Sequence, residues 1–241
     1  MNHTRTFLII FGILLFTSGS LINLFFSSNL LWGEMEALIF APQVGDKNLD
    51  ISCPLIIAPS ENGIVNTVVT NSLVSDATKP QVNLFVSDQN DIRFESQTLE
   101  LEPLESQPLQ WTVTSADIVF DRLILVSVLQ RPYRELESRQ GTCSIYVYSL
   151  FGMNGKNTAI AIVEFGVISS LLGMGLLFYY IKSFSVKIKK MMQVNVLFFI
   201  LVLLGIFSAL PRLWGLTLFF NSLALLSIAV AYIEIIFGRS K

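Results

Sequence analysis

The sequence is almost without histidine, since His3 is the only one in 241 residues. One imidazole beside the N-terminus leaves no histidine base for a Ser or Cys nucleophile and no His-based zinc site. The Gly-x-Ser-x-Gly, Walker and Rossmann glycine patterns, which mark hydrolase and nucleotide sites, are absent as well. We therefore expect a protein that is not an enzyme and that uses no cofactor.

Charge is also scarce. Charged residues make up 14% of the chain and hydrophobic residues 52%, whereas about 25% of a soluble domain is charged. This composition argues against a water-soluble globule. About 20 apolar residues are needed for a helix to cross ~30 Å of hydrocarbon, and four apolar runs are candidates. The predicted transmembrane helices are 6–26, 158–181, 194–210, which is short, and 213–237.

Carboxylates are nearly absent outside residues 27–157. That segment holds sixteen of the eighteen Asp and Glu but eight of the sixteen Lys and Arg, which leaves eight net negative charges. The remaining polar pieces are basic, and by the positive-inside rule they predict a cytoplasmic N-terminus (1–5), loop (182–193) and C-terminal tail (238–241). Segment 27–157 and the short turn 211–212 then face outward. We expect a multi-pass protein of a cell membrane.

The first apolar run has two interpretations. Arg5, the apolar stretch after it and the small residues 17–20 are typical of a signal peptide. However, the apolar character resumes at once in residues 21–26, and no Ala-x-Ala cleavage pattern occurs. We expect an uncleaved anchor, with cleavage as the alternative. Both deliver the following segment across the membrane.

The only two cysteines, Cys53 and Cys143, are too few for a metal site without histidine partners. Residues 46–149 break into seven short β-rich runs, a spacing typical of a β-sandwich. The two cysteines fall at core-facing positions of the first and last runs. In an exported domain this arrangement predicts a structural disulfide, with two buried free thiols as the alternative.

The runs IVNTVVTNS and LEPLESQPLQWTV, with the closing strand around Cys143, resemble bacterial extracytoplasmic immunoglobulin-like domains, including the cell-adhesion-related class. The resemblance covers residues 46–149. It implies an all-β immunoglobulin-like sandwich outside a bacterial cell membrane. Together with the four apolar runs, this predicts a sandwich attached to an α-helical unit of four spans. Such domains often have Pro-Gly-Glu or Pro-Gly-Gln where this chain has Pro103–Ser106, and Leu104 departs from that pattern. The resemblance implies a scaffold and no activity.

Three tyrosines are candidates for a partner surface. Alternation along the last strand turns Tyr146 and Tyr148 away from the face of Cys143, and Tyr133 lies nearby in the sequence. Tyrosine is enriched where proteins meet. The alternative is that these side chains cover a sheet or pack on lipid headgroups. The acidic domain favours cationic partners over nucleic acid.

Two features of the spans concern packing and ionisable groups. Gly166, Ser170 and Gly173 share one helical face, which allows another helix to approach closely. Glu164 and Glu234 lie inside apolar runs, where ionisable groups are candidates for function. Near the membrane borders Glu164 has Arg212 as a possible partner, and Glu234 has the basic C-terminal tail. Interfacial pairing is one interpretation, and ion or proton passage is the other.

These observations predict a non-enzymatic integral membrane protein that presents an extracytoplasmic immunoglobulin-like domain for binding or assembly. An accessory subunit, an adhesion protein and an envelope-organising protein all fit this description. The expected partners are the lipid bilayer and either another protein or further copies of the chain. The alternative is a small oligomeric channel or transporter subunit that uses Glu164 or Glu234.

Overall fold

A computed structural model describes residues 3–40, 45–89, 91–181 and 186–237. Within these ranges, it does not describe the side chains of residues 3–4, 181, 186–191, 231–232 and 234–237. The chain divides into two units. The helical unit comprises Met1–Leu31 and Ile160–Lys241, and the β unit comprises Trp32–Ala159.

The apolar runs form helices, so the protein combines helix and sheet. The helices are α1 (His3–Phe40), α2 (Gly155–Ile181), α3 (Val186–Ala209) and α4 (Trp214–Phe237). Three described stretches are long and apolar enough to cross a membrane, namely Arg5–Phe40, Gly155–Tyr180 and Met192–Ala209. In α4 the described apolar stretch, Trp214–Val230, is shorter. The structure thus supports a membrane protein with three such helices among the described residues.

Two helices extend beyond the predicted spans by two turns or more. α1 continues from position 26 to Phe40, because residues such as Glu34, Met35 and Ala37 are good helix formers. α3 begins at Val186, so much of the predicted loop 182–193 is helical. An apolar run locates the membrane-spanning part of a helix, but it does not show how far the helix continues through more polar residues. Residues 182–185 of that loop and the predicted tail 238–241 lie outside the described residues.

The described part of the β unit holds nine strands in two sheets. They are β1 (Lys47–Asn48), β2 (Ile51–Ser52), β3 (Ile56–Ile57), β4 (Gly63–Thr70), β5 (Gln81–Ser87), β6 (Ile92–Thr98), β7 (Ser106–Val113), β8 (Leu123–Gln130) and β9 (Arg139–Val147). The larger sheet has the order β1-β9-β8-β5-β6, with β3 also paired to β9, and the smaller sheet has the order β2-β4-β7. β1 and β3 run parallel to β9, and the other pairs are antiparallel.

Apolar side chains of both sheets meet in one buried cluster. Alternate residues of β4 are buried, and Val65 and Val69 contribute to this cluster. Leu84, Ile124 and Ile145 contribute from the larger sheet. Burying one such side chain stabilises the fold by about 1.5 to 3 kcal/mol. The shared cluster therefore holds the two sheets together.

Cys53 and Cys143 form the predicted disulfide, with 6.5 Å between their Cα atoms and a sequence separation of 90. Cys53 lies between β2 and β3, where the chain passes from the smaller sheet to the larger one. Cys143 is buried in β9. The bond therefore joins this crossing segment to a central strand. In the chain-entropy model, closing a loop of that length stabilises by about 4 to 5 kcal/mol.

Leu104 has the backbone conformation of a turn glycine. The N–H of Glu105 donates to the carbonyl of Glu102 at 3.1 Å, which closes a turn with Pro103 and Leu104 in the middle. The φ of Leu104 is +60°. Proline suits the second position of a type II turn, and glycine suits the third because φ is positive there. At the position where Leu104 departs from the Pro-Gly pattern in sequence, the backbone still has the angle that the pattern requires.

We expect Leu104→Gly to raise the free energy of unfolding. The side chain is 63% exposed, so little burial is lost, and a left-handed non-glycine residue costs about 1 to 2 kcal/mol. Glycine also gives the unfolded chain more conformational freedom, which opposes folding, so the free energy of unfolding should rise by a net ~0.5 to 1 kcal/mol. Denaturant unfolding of the detergent-solubilised protein measures it. Leu104→Ala keeps the Cβ atom and should show no gain; an equal gain in both variants would contradict the explanation.

Candidate interaction sites

The last turns of α1 cover the outer face of the larger sheet, which is the face turned away from the shared cluster. Every residue of β8 is buried, so both of its faces are covered. A Cβ atom at Gly33 would lie 2.8 Å from the Ser144 hydroxyl, 2.9 Å from the Tyr146 ring and 3.2 Å from the Leu123 side chain. Ala37, one turn later, is fully buried. The absence of a side chain at Gly33 lets the helix approach the sheet this closely.

Glu34 supplies a hydrogen bond that a strand would otherwise make. The N–H groups of Tyr146 and Tyr148 donate to the carbonyls of Leu55 and Ile57, along the edge of β9 that pairs with β3. The N–H of Ser144, two residues earlier on that edge, donates to the Glu34 carboxylate at 3.3 Å. Glu34 is 6% exposed. Its carboxylate therefore accepts a backbone hydrogen bond from β9 at a position where the chain between β2 and β3 no longer pairs with that strand.

Tyr146 is not available for a partner. Its side chain points away from Cys143, as the alternation predicts, but α1 covers that face, and Tyr146 is 7% exposed. Burial raises the pKa of Tyr146 to about 12 because the ionised phenol is poorly solvated there. Tyr148 is 49% exposed and follows the end of β9, whereas Tyr133 lies between β8 and the start of β9. The length of a nine-residue strand separates them, so the three tyrosines do not form one surface.

A cavity of about 560 Å³ opens in the β unit beside the end of α1. Its apolar lining includes Phe40, Ile118 and Phe120, and its carboxylates come from Asp88, Asp91 and Asp121, with Ser87, Gln89, Val119 and Leu125 completing the wall. Across the described ranges, no group of three or more His, Cys, Asp or Glu is placed to hold a metal ion. The cavity combines apolar walls with negative charge, which suits a cationic group on an apolar stem.

Glu61 binds the start of α2. Its carboxylate accepts the N–H of Gly155, the first residue of α2, at 2.8 Å, and the N–H of Ala58 at 3.0 Å. The Asn154 side chain caps the same helix by accepting the N–H of Asn157 at 2.8 Å. The hydrogen bonds from Ala58 and then Gly155 lower the pKa of Glu61 from its ordinary 4.5. A carboxylate at a helix N-terminus is also favoured by the helix dipole.

Within the helical unit, the predicted small-residue face of α2 packs against α1. A Cβ atom at Gly173 would lie 2.4 Å from the backbone nitrogen of Phe16, and one at Gly19 would lie 2.5 Å from the carbonyl oxygen of Gly166. The hydroxyls of Ser20 and Ser170 are 3.2 Å apart. Because later residues of α1 meet earlier residues of α2, the two helices are antiparallel. The spacing of small residues in α2 does not by itself identify α1 as the helix that packs against them.

Two buried asparagines lie against glycines in this unit. A Cβ atom at Gly166 would lie 2.3 Å from the Asn23 side-chain oxygen, and one at Gly205 would lie 2.3 Å from that of Asn221. Asn221 donates to the Ser27 hydroxyl at 3.1 Å. Asn23 is fully buried, and in the described part of the chain neither end of its amide has a hydrogen-bond partner. Asn23 was not singled out by sequence reasoning, because one polar residue in a long apolar run does not show by itself that it is buried between helices.

Of the predicted ionisable candidates, the structure describes the side chains of Glu164 and Arg212. Glu164 is exposed on α2, on the side of the helix opposite the packed face that contains Gly166 and Gly173. The ion pair suggested between Glu164 and Arg212 does not form between these two described residues. Arg212 lies in the turn between α3 and α4 with a φ of +61°. Glu234 lies on α4, but its side chain is outside the described residues.

No family model matches the sequence, and no curated protein matches it either. The chain is similar, over less than half of its length, to several solved structures. A cycloisomaltooligosaccharide glucanotransferase from Paenibacillus is 22% identical over 45% of this chain and 15% of that chain, with a TM-score of 0.35. The CARDB domain of a Pyrococcus furiosus protein, solved with di-metal ions, is 11% identical over 45% of this chain and 99% of that chain, with a TM-score of 0.33. A Bacteroides uniformis β-glucuronidase is 13% identical over 42% and 13%, with a TM-score of 0.33.

The contact between α1 and α2 predicts that Gly166→Leu separates the two helices. Overpacking typically costs ~1 to 3 kcal/mol. In a Ser20→Cys/Ser170→Cys background, the introduced thiols should oxidise to a cross-link detectable by mass spectrometry, and Gly166→Leu should reduce its yield several-fold. Gly175→Leu is the matched control on the same helix, because a Cβ atom at Gly175 meets nothing within 4 Å. An equal cross-link yield in the double-cysteine protein and in its Gly166→Leu and Gly175→Leu variants would refute the contact.

The hydrogen bonds of Glu61 predict a pH dependence of stability. Because the folded pKa is lowered from 4.5, the ionised carboxylate stabilises the fold fully above that value, and this contribution disappears as pH falls through the folded pKa. We expect Glu61→Gln to melt at a lower temperature than wild type at neutral pH, and the gap to close in acid. Melting curves across this pH range test this expectation, with Glu135→Gln, an exposed carboxylate, as the control. A gap independent of pH would be inconsistent with the assignment.

Proposed function

We propose that this chain is a non-enzymatic integral membrane protein that presents an extracytoplasmic immunoglobulin-like sandwich for binding or assembly. One observation carries the proposal: the apolar stretch Arg5–Phe40 belongs to a single helix, and its last turns are part of the β unit. Gly33 and Glu34 of these turns pack on the larger sheet. A β unit built around the end of a candidate span is suited to display beside a membrane.

Two further features support the extracytoplasmic location and the sandwich. The Cys53–Cys143 disulfide is typical of oxidising compartments, and the basic pieces of the sequence favour a cytoplasmic C-terminus. Two sheets that share one apolar cluster fit a sandwich of the immunoglobulin-like kind. Enzymatic activity forms no part of the proposal, because the sequence offers no set of residues to which a reaction could be assigned.

The cavity gives the proposal a place for binding. Phe40 and Ile118 would contact an apolar stem, while Asp88 and Asp121 would attract a positive charge. Lysine and arginine side chains have this combination of a long apolar stem and a charged end. We therefore propose a partner protein, or a second copy of this chain, that inserts a basic side chain here. Such a contact is compatible with an accessory-subunit, an adhesion and an envelope role.

Affinity purification of the full chain from mild detergent tests this function. We expect a stable co-purifying membrane protein or a homo-oligomer, and several-fold less of it with Asp88→Asn/Asp121→Asn. Asparagine tolerates the positive φ of 63° at Asp121, so the fold should be unaffected. Glu102→Gln, an exposed carboxylate outside the cavity lining, is the control. A monomer without any partner would contradict the function, and undiminished recovery with the double variant would exclude the cavity.

A small oligomeric channel is the second candidate. The buried polar groups of the helical unit favour it, in particular Asn23 with its unpartnered amide. Because Glu164 is exposed on α2, it would line a pore only between copies of the chain. Ion flux into liposomes that Glu164→Gln abolishes would establish this alternative over the first proposal.

A further inference from the structure

Two tight turns of the β unit each carry a phenylalanine at the tip. In the first, which we call the Phe120 turn, the N–H of Arg122 donates to the carbonyl of Val119 at 3.3 Å. In the second, the Phe151 turn, the N–H of Met153 donates to the carbonyl of Leu150 at 3.0 Å. Both middle residues of each turn have positive φ: Phe120 51°, Asp121 63°, Phe151 51° and Gly152 76°.

Phenylalanine is an unusual residue for these positions. Two consecutive positive φ angles are the pattern of a type I′ turn, in which Gly, Asn and Asp predominate. Asp121 and Gly152 follow that preference at the second middle position. Phe120 and Phe151 do not follow it at the first, because a bulky side chain is disfavoured at positive φ. The same departure occurs in both turns.

Packing within the β unit does not explain the two aromatic rings. Phe120 is 61% exposed and Phe151 is 94% exposed. The ring of Phe120 lies 6.4 Å from that of Trp32, which is itself 41% exposed. A strained backbone with a mostly exposed apolar tip at both sites indicates that the larger part of each ring has its apolar contact outside the β unit.

Both turns lie at the end of the larger sheet from which the chain continues into α2. The N–H of Val147, the last residue of β9, donates to the carbonyl of Arg122 at 2.8 Å, so the Phe120 turn adjoins this end. Phe151 is four positions before Gly155, where the apolar stretch Gly155–Tyr180 begins. Four residues span at most about 14 Å. The Phe151 ring is thus confined to the neighbourhood of the first turn of a candidate span.

We propose that the Phe120 and Phe151 turns are a lipid-contact surface that places both rings in the interfacial layer of the bilayer that α2 crosses. The inference rests on the proposed function as a membrane protein. Apolar and aromatic side chains are favoured in that layer. Asp121 and Arg122 beside Phe120 carry opposite charges, so the contact is apolar and does not require anionic lipid. The two rings, which the β unit itself leaves exposed, would then be in contact with lipid instead of water.

Spin labelling tests the surface in the full chain reconstituted into nanodiscs of zwitterionic phosphatidylcholine. The only two cysteines form the disulfide, so Phe120→Cys and Phe151→Cys can each be labelled singly. We expect both labels to be several-fold more accessible to oxygen, relative to a water-soluble nickel chelate, than a label at Leu104→Cys. Leu104 is 63% exposed at positive φ. Leu104 lies before β7 and Phe120 lies after β7, so the length of this strand, ~26 Å, separates the two sites.

A label at Leu172→Cys, on an exposed position of α2, separates the two proposals. If Leu172 shows lipid accessibility while Phe120 and Phe151 behave like Leu104, the lipid-contact surface is wrong and membrane insertion stands. If Leu172 also behaves like Leu104, α2 is not in lipid and the proposed function fails. Labels at Phe120 and Phe151 that are shielded from both probes would indicate a protein contact and would overturn the proposal.

Discussion

The rest of the β unit depends on the packing of the last turns of α1 against the outer face of the larger sheet. A sheet with two apolar faces needs a covering layer on each side, and β8, which is buried throughout, has two such faces. The smaller sheet covers one face and α1 covers the other. Gly33 permits the close approach, and that approach brings the Glu34 carboxylate to the unpaired N–H of Ser144. One contact thus both buries apolar surface and completes the hydrogen bonding of β9.

The sequence contains most of this fold, but the covering helix was missed. Apolar residues alternate along β7, and Leu109, Trp111 and Val113 on its apolar face are buried in the shared cluster. The run LILVSV in β8 is apolar without alternation, a pattern typical of a strand buried on both faces. The apolar run in β8 therefore indicated that the larger sheet is covered on its outer face as well as on the face toward the smaller sheet. Tyr146 was assigned to the correct face of β9, and its burial fits the interpretation in which the side chain covers a sheet, not the one in which it meets a partner.

The candidate sites were less predictable because they depend on long-range contacts. Spacing alone shows that Gly166 and Gly173 share a close-packed face, but not that Phe16 and Gly19 of α1 lie against it. Positive φ at Phe120 and Phe151 could not have been foreseen, since sequence rules expect Gly, Asn or Asp in such turns. In both cases a local rule identifies a permissible arrangement, and the tertiary structure determines which partner or conformation is used.

The cavity and the lipid-contact surface share Phe120, and this restricts the kind of partner. A ring in the interfacial layer places the adjoining cavity wall at the level of the headgroups. A basic side chain that reaches Asp121 there must come from a segment that lies at the membrane surface, where lysine and arginine extend their charged ends toward the interface. A ligand free in solution would have to pass the lipid headgroups before it reached this cavity wall. The two proposals together therefore favour another membrane protein, or a neighbouring copy of this one, as the partner.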